Sequence, residues 1–176
     1  MNNDISIAIE KNICTGCGSC YNSCAHHAIS MIKNNEGFYY PKIDYKKCIG
    51  CGLCTQKCHA INIKYRNEVS DKCYAVWTDE ESHMGSSSAG MFYVIAKYAI
   101  ENNGYVCGSV FDKNFYSAYH TIATTIDQVE PMRKSKYIQS ETHNIYKKIK
   151  ELLLSSNRPV IFSGTPCQVA GLYSFL

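Results

Sequence analysis

The sequence predicts an α+β protein in two parts: an N-terminal domain built around two cysteine runs, followed by an incomplete α/β domain. Three observations support this class. One cysteine pattern occurs twice between residues 14 and 58, strand and helix signals alternate from residue 73 onward, and the last helix signal reaches Leu176. We place the first domain at residues 1–70 and the second at residues 71–176. Because the strand and turn that begin at residue 159 lead into a helix with no strand after it, we expect a truncated chain.

Eight of the eleven cysteines form two runs with the spacing C-x2-C-x2-C-x3-C, offset by 34 residues. The first run is Cys14, Cys17, Cys20 and Cys24, and the second is Cys48, Cys51, Cys54 and Cys58. This spacing is typical of two-cluster 4Fe-4S proteins, in which the fourth cysteine of each run binds the cluster of the other run. Structural zinc sites use paired C-x2-C knuckles without a third cysteine. Disulfides need an oxidising compartment, to which this chain shows no route.

This crossed ligation, in which each run supplies its fourth cysteine to the other cluster, divides the eight cysteines between two 4Fe-4S clusters. One set is Cys14, Cys17, Cys20 and Cys58, and the other is Cys48, Cys51, Cys54 and Cys24. Because each run ligates both clusters, we expect cluster loading and folding to be coupled. The sequence therefore predicts a two-cluster ferredoxin-type domain.

Ala25 and His59 replace the proline that usually follows each run, which leaves the ligands unchanged. We interpret His59 as an exposed polar residue, with a hydrogen bond near a cluster as the alternative.

Local patterns predict the elements of the first domain. Isoleucines alternate with small residues between Ile5 and Ile9, which favours a short strand. Residues 28–31 and 38–43 predict two strands, and the turn signal at residues 34–37 joins them into a β-hairpin. The remaining signals are a repeat of the first alternation at residues 61–65 and a linker at residues 66–68.

The second domain alternates strands and helices. The apolar run Cys73–Trp77 predicts a buried strand. A helix is expected from Met91 to Ile100, capped by a serine of the preceding stretch. A final helix begins at Pro166, with Thr165 as its N-cap. The other expected elements are strands at residues 105–111, 116–123 and 159–162, a short helix or turn at 125–132, an extended segment at 136–139 and a helix at 143–154.

Composition excludes some classes of function. No run reaches about 18 apolar residues, so we expect no membrane span, and residues 1–12 lack the apolar core of a signal peptide. We therefore expect a cytoplasmic protein, where reducing conditions suit oxygen-sensitive clusters. The formal net charge of +3 counts the cysteines as neutral, and two loaded clusters at about −2 each reverse its sign. No arginine-rich or basic-aromatic run indicates nucleic-acid binding.

Three further stretches follow the cysteine runs in a fixed order. They are Ser86–Gly90, Arg133–Ser140 and Phe162–Gln168. In this combination the chain resembles the family of coenzyme F-420 hydrogenase/dehydrogenase beta subunits, whose full-length members continue beyond residue 176. The cysteine runs are generic to ferredoxins, whereas the serine stretch and the Ser-Gly-Thr-Pro-Cys-Gln turn are more specific.

The resemblance implies a flavoprotein that passes electrons between iron–sulfur clusters, FAD and a second redox partner, often a deazaflavin. It implies a flavin site in the second domain. The candidate residues of this site are Ser87, Ser88, Gly90, Lys136, Gly164 and Thr165. Helix N-termini favour phosphate groups, so the FAD pyrophosphate could bind at the serine stretch or at Thr165; simple helix capping is the alternative. Ala89 and Lys134 stand where the family usually has glycine.

Three cysteines lie outside the runs. Cys167 falls near the N-terminus of the last predicted helix, where a thiolate is favoured, and it is our candidate catalytic residue. We nevertheless favour a small buried side chain at this position. Cys73 and Cys107 fall in predicted strands and should belong to the core.

Our leading hypothesis is an enzyme, one subunit of an iron–sulfur flavoprotein oxidoreductase. Two 4Fe-4S clusters would exchange electrons with a flavin, and the flavin with a redox partner protein or a small-molecule electron acceptor such as a deazaflavin coenzyme. The first alternative is an electron carrier only, a two-cluster ferredoxin with a partner-docking domain and no flavin. A third hypothesis is an enzyme that reduces a disulfide or a small molecule through Cys167.

Overall fold

A computed structural model of the chain describes residues 4–10, 12–62 and 72–176. The protein is mixed α+β and divides into two compact units. The first unit contains residues 1–66, 141–148 and 165–176, and the second contains residues 67–140 and 149–164. Two late segments of the chain thus belong to the unit that carries both cysteine runs. The domain ranges 1–70 and 71–176 stay predictions.

The first unit contains a β-hairpin between its two cysteine runs. Its elements are α1 (Ser6–Glu10), α2 (Ser19–Ser23), β1 (Ile29–Lys33), β2 (Tyr39–Ile43), α3 (Leu53–Gln56) and α8 (Pro166–Phe175). β1 pairs antiparallel with β2. The Asn34 amide donates to the Phe38 carbonyl at 2.8 Å and closes the turn. The predicted hairpin is therefore confirmed.

The predicted strand at residues 5–9 is wrong, because this segment forms α1. The Asp4 carboxylate accepts a hydrogen bond from the Ser6 amide at 2.9 Å and starts the helix. Ile5 and Ala8 are buried at helical spacing, whereas Ile7 and Ile9 are only half-buried, so burial does not follow the alternation of the isoleucines. The apolar repeat at residues 61–65 and the linker at 66–68 fall mainly outside the described residues; Ile61 itself lies in a turn.

Cysteines and apolar side chains share the core of the first unit. Ile5, Ala8 and Ile29 are buried in one cluster with Cys20 and Cys58.

The predicted final helix is confirmed as α8, with Pro166 at its first position. Thr165 caps it in a reciprocal capping box with Gln168.

The second unit is organised around β3. Its elements are α4 (Glu80–Met84), α5 (Met91–Glu101), β3 (Tyr105–Phe111), β4 (Ala118–Ala123), α6 (Ile126–Val129), a 3-10 turn (Glu130–Met132) and β6 (Val160–Phe162). β3 pairs antiparallel with β4 and parallel with β6. The two-residue β5 (Ser140–Glu141) stands at the β4 edge of the sheet, and α7 (Ile145–Ser155) precedes β6. The strands expected near 105–111, 116–123 and 159–162 are confirmed.

Helix α5 packs on this sheet. Ala96 and Ala99 share a buried cluster with Val106 and Val110. The helix predicted from Met91 to Ile100 is confirmed, and it ends at Glu101 with Asn102 as its C-cap. The predicted serine N-cap is wrong, because Gly90 occupies this position with φ 81° and no side chain caps the helix.

The predicted buried strand Cys73–Trp77 is also wrong. These residues have no regular structure, and the side chains of Tyr74 and Trp77 are 79% and 77% exposed. An apolar run becomes a buried strand only where a neighbouring strand and a covering layer are available. Cys73 is correspondingly exposed, whereas Cys107 is buried as expected. Within the described residues, no helix has the length and hydropathy needed to cross a bilayer.

Candidate iron–sulfur centres

Two cavities in the first unit are each lined by four of the run cysteines. The first cavity is bordered by Cys14, Cys17, Cys20 and Cys58. The second cavity is bordered by Cys24, Cys48, Cys51 and Cys54. The fourth cysteine of each run therefore lies with the first three cysteines of the other run, which is the grouping that crossed ligation requires.

The donors in both cavities suit iron–sulfur clusters. Four thiol groups border each cavity, and four cysteine thiolates ligate a 4Fe-4S cluster. Among residues 4–10, 12–62 and 72–176, no three His, Cys, Asp or Glu side chains surround a point that fits a single metal ion. A cluster does not need such a point, because each of its cysteines binds a different iron atom. The residues present therefore fit the group that their spacing implies.

Both runs adopt the same turn. Gly16 and Gly50 have φ values of 66° and 71°, and Gly18 and Gly52 have φ values of 80° and 72°. Side chains with a Cβ rarely adopt this conformation, so glycine lets the backbone curl around each cavity. A short helix begins directly after the second glycine of each run. The third cysteine of each run thus lies in a first helical turn.

Backbone amides point at some of the cysteine sulfurs. The Ala28 amide donates to Cys24 Sγ at 3.3 Å. The Ser19 amide donates to the Cys17 sulfur, which favours the thiolate. Such N–H groups stabilise negative charge on a cluster and tune its reduction potential.

The cysteines that border the first cavity are more deeply buried than those that border the second. Cys20 and Cys58 are only 7% and 8% exposed. Burial raises the pKa of Cys17 to about 12 and raises the pKa of Cys20 well above its ordinary value. Iron binds the thiolate, so cluster loading must displace these protons. In the second cavity, by contrast, Cys51 is exposed.

The two residues that precede α1 contribute to the second cavity. Asp4 lines its wall, and the Ile5 amide donates to the sulfur of Cys54. Burial raises the pKa of Cys54, and this amide opposes the rise. Sequence reasoning missed this role, although the Asp4–Ser6 cap was a readable signal for a helix start.

His59 borders the first cavity. Its Nε2 lies 3.2 Å from Thr15 Oγ1, and the side chain is half-buried. Burial lowers the pKa of His59. The interpretation as an exposed polar residue is therefore wrong, and the alternative position near a cluster site agrees with the structure.

One late segment of the chain, residues 141–148, contacts the first cysteine run. The carbonyl of Cys17 accepts hydrogen bonds from Tyr146 Oη at 2.8 Å and from Thr142 Oγ1 at 3.2 Å. Asn22, which is 1% exposed, donates to the carbonyls of Gly18 and His143 at 2.9 and 2.7 Å. Sequence reasoning missed these contacts, because nothing local marks a partner more than 120 residues away.

Helix α8 also approaches the first run. A Cβ on Gly171 would lie 3.0 Å from Cys17 Sγ. Cys167 lies in the first turn of this helix, half-buried, with its sulfur 3.1 Å from Thr165 Oγ1. A Cys167 thiolate is close enough to raise the pKa of Cys17, although burial has the larger effect. The structure thus places the candidate catalytic cysteine near the first cavity.

The second unit brings together two of the stretches that suggested a flavin site. The Ser135 amide donates to Ser87 Oγ at 2.7 Å. Arg133 Nη2 donates to the Ser82 carbonyl at 2.9 Å, and its guanidinium stacks 3.9 Å from the centre of the Tyr93 ring. The serine stretch and the Arg133–Ser140 stretch therefore form one contact region.

The other candidate residues of that site lie in different surroundings. Lys136 Nζ donates to the carbonyls of Pro131, Arg133 and Lys134 at 2.8, 2.6 and 3.0 Å, which uses all three of its protons. Gly90 is buried at the start of α5. Ser88 and Gly164 are exposed, and Thr165 caps α8.

Comparison with known proteins gives the class of the first unit. The 4Fe-4S dicluster domain family matches residues 13–62. An uncharacterized ferredoxin of Methanocaldococcus jannaschii is 34% identical over 62 residues, which cover 34% of this chain and 79% of that protein. The chain therefore belongs to the ferredoxin family through its cysteine-rich part. This part is a 4Fe-4S electron-carrier domain.

A second relative matches most of the chain. It is one of the subunits of the F(420)H(2) dehydrogenase of Methanosarcina mazei, and it is 23% identical over 173 residues, or 93% of this chain. The alignment covers 49% of that relative, so the chain spans about half of its length. The similarity therefore extends beyond the ferredoxin domain.

Proposed function

We propose that the first unit is an electron-transfer module that holds one 4Fe-4S cluster in each cavity. The ligands of one cluster are Cys14, Cys17, Cys20 and Cys58, and those of the other are Cys48, Cys51, Cys54 and Cys24. The observation that supports this assignment is the grouping of the eight cysteines around two separate cavities, four to each. Bound clusters of this type accept and release single electrons.

The protein's own residues orient and shield the two sites. The Ser19 and Ala28 amides donate to cysteine sulfurs, where they stabilise negative charge. Apolar residues of α1 and the hairpin pack around Cys20 and Cys58 and exclude water from the first site. Because each run supplies ligands to both sites, loss of either cluster should loosen both halves of the unit.

The crossed assignment is tested by iron and sulfide analysis of anaerobically purified protein. We expect about eight irons for the parent and about four for Cys24→Ser and for Cys58→Ser. The cluster signal that Cys58→Ser removes should be the one that Cys14→Ser removes, and Cys24→Ser should match Cys48→Ser. Cys73→Ser, which changes an exposed cysteine outside the runs, is the control. If Cys58→Ser instead matches Cys48→Ser in electron paramagnetic resonance spectra, ligation is not crossed.

We further propose that the chain belongs to the family of coenzyme F-420 hydrogenase/dehydrogenase beta subunits. Residues 71–176 would then be the beginning of its flavin domain, which exchanges electrons with a redox partner protein or a small-molecule acceptor. The similarity to the Methanosarcina mazei dehydrogenase over 93% of the chain supports this. The contact between Ser87 and Ser135 joins two of the three stretches on which the resemblance rests.

Flavin content tests the second proposal. Protein purified at its natural full length should contain one FAD per chain, and Ser87→Ala should reduce this content because it removes the acceptor of the Ser135 amide. Ser30→Ala, an exposed serine of the first unit, is the matched control. Full iron content without flavin in the parent would contradict the flavin proposal and leave the cluster proposal intact.

One observation favours the alternative of an electron carrier without flavin. Two of the three positive groups of the Arg133–Ser140 stretch are already engaged within the unit, since Lys136 is bound to three carbonyls and Arg133 pairs with Glu130 at 3.2 Å. A pyrophosphate would have to compete with these contacts. Titration of the protein with FAD, followed by flavin fluorescence, separates the two hypotheses: no quenching up to millimolar FAD supports the carrier.

A further inference from the structure

One peptide carbonyl in the first cysteine run receives two hydroxyl groups from a distant part of the chain. It belongs to Cys17, and its donors are Tyr146 Oη at 2.8 Å and Thr142 Oγ1 at 3.2 Å. Tyr146 is fully buried, and Thr142 is 5% exposed. The Tyr146 hydroxyl also lies 2.9 Å from the Gln168 carbonyl, so it shares its single proton between two acceptors.

The equivalent position in the second run has different surroundings. Its residue is Cys51, 34 positions after Cys17, and it is exposed. Among the residues that the structure describes, no side-chain hydroxyl donates to the Cys51 carbonyl. Two runs with the same spacing therefore differ in the hydrogen bonding of one matched peptide.

A hydroxyl proton directed at a carbonyl polarises the whole peptide. The N–H of the same peptide belongs to Gly18, which lines the first cavity together with Cys17, and it becomes a stronger donor. The positive end of each O–H dipole lies against the carbonyl of Cys17. Because the surroundings are buried, these dipoles act at low dielectric and with little screening. Both effects favour added negative charge at the first site.

We propose that Tyr146 and Thr142 are positioning residues that raise the reduction potential of the first cluster, an inference that rests on the proposed two-cluster function. Burial of an anionic cluster disfavours the further charge that reduction adds. The two hydroxyls oppose this penalty through the Cys17–Gly18 peptide. Reduction at this site adds one electron to the cluster and transfers no proton to either hydroxyl.

The test uses Tyr146→Phe and Thr142→Val, which remove the hydroxyls and keep most of the side-chain shape. Potentials are measured by redox titration with electron paramagnetic resonance, after iron analysis, and the two signals are assigned with Cys14→Ser and Cys48→Ser. We expect the midpoint potential of the first cluster to fall in both variants. The second cluster should keep its midpoint.

Two controls isolate the hydroxyl. Thr142→Ser retains it and should restore the parental midpoint. Tyr39→Phe removes the hydroxyl of another buried tyrosine of this unit, one that bonds Glu141, and should leave the first midpoint unchanged. If Tyr146→Phe loses iron, Thr142→Val and its serine control decide alone.

The outcomes separate this inference from the function on which it rests. Variants with full iron and an unchanged first midpoint would overturn the inference and leave the proposed function standing. An equal shift of both clusters would also overturn it, since the hydroxyls would then act on the whole unit. A parent protein without two cluster signals would overturn the proposed function itself.

Discussion

The two cysteine runs share their spacing, their paired glycines and the left-handed turn at each glycine, yet their surroundings differ. The first run is covered by residues 141–148 and by α8, and two of the cysteines at its cavity are less than a tenth exposed. The second run is bordered by Asp4 and Ile5, which precede α1, and keeps Cys51 exposed. A duplicated ligand loop has thus become two inequivalent sites.

This difference shows how one local motif can supply two electron-transfer sites with different properties. The turn fixes where the sulfurs lie, whereas burial and hydrogen bonding around the turn set the energy of charge at each site. An enclosed site is protected from solvent and oxygen. An exposed site is accessible to a partner. The following predictions test this contrast, from the largest expected effect to the smallest.

Replacing the third cysteine with serine should destabilise the protein more in the first run than in the second. Cys20→Ser places a hydroxyl in the core beside Ile5 and Ile29. This buried hydroxyl should lower the free energy of unfolding by about 1–3 kcal/mol, in addition to the stability lost with the cluster. Cys54→Ser changes a half-buried side chain and should lack most of this added loss. Thermal unfolding followed by circular dichroism, with iron analysis, measures both. Equal unfolding temperatures would show that enclosure of the first site contributes nothing.

Replacing one glycine of each run with alanine should also destabilise the protein to different extents. Gly18 and Gly50 both have positive φ, so alanine costs about 1–2 kcal/mol of unfolding free energy at either position. A Cβ at Gly18 would additionally overlap the Thr142 hydroxyl, whereas a Cβ at Gly50 meets nothing within 4 Å. We therefore expect Gly18→Ala to be more destabilising by about 1–3 kcal/mol.

Urea unfolding of the anaerobic protein provides the measurement for the glycine pair. The double variant Gly18→Ala with Thr142→Ala serves as the control, because it removes the overlapping hydroxyl and should recover part of the loss. A larger effect of Gly50→Ala would contradict the described packing of residues 141–148 on the first run.

Exposure to air should remove the second cluster first. Oxygen and water reach the exposed Cys51 more readily than the enclosed ligands of the first site. We expect iron release in two phases, and Cys24→Ser should eliminate the fast phase. Cys58→Ser should leave the fast phase in place. Release in a single phase from the parent would mean that the two sites are equally accessible.

Alkylation gives the smallest but most direct comparison. Cys51 and Cys73 are both exposed, so in the loaded protein iodoacetamide should label Cys73 and spare Cys51, which iron holds. Cys107 should stay unlabelled at neutral pH, because burial raises its pKa to about 12 and keeps the thiol protonated. Mass spectrometry identifies the labelled peptides. Labelling of Cys51 at the rate of Cys73 would mean that the second site does not hold iron.

Local patterns predicted much of this protein. The cysteine spacing predicted the grouping that the two cavities display, and the Asn34–Gly37 signal predicted the hairpin turn. Thr165 and Pro166 predicted the start of α8. In each case the determining interactions lie within a few residues, so the sequence window contains them.

Other features escaped these patterns because packing overrode them. The isoleucines at residues 5–9 suggested a strand, but the Asp4 cap and the burial of Ile5 and Ala8 made a helix. The run Cys73–Trp77 suggested a buried strand, but it has no partner strand among the described residues and stays exposed. Periodicity records which residues are apolar, and it does not record what covers them.

The sequence by itself determined the ligands expected for each cluster and the turn that presents them, because cysteine spacing and glycine conformation are local properties. Only the tertiary structure decided how the two sites differ. The hydroxyls of Thr142 and Tyr146 lie 125 and 129 residues from the Cys17 carbonyl that they contact. Their approach depends on how residues 141–148 pack, since burial and low dielectric at a site arise from every segment that covers it.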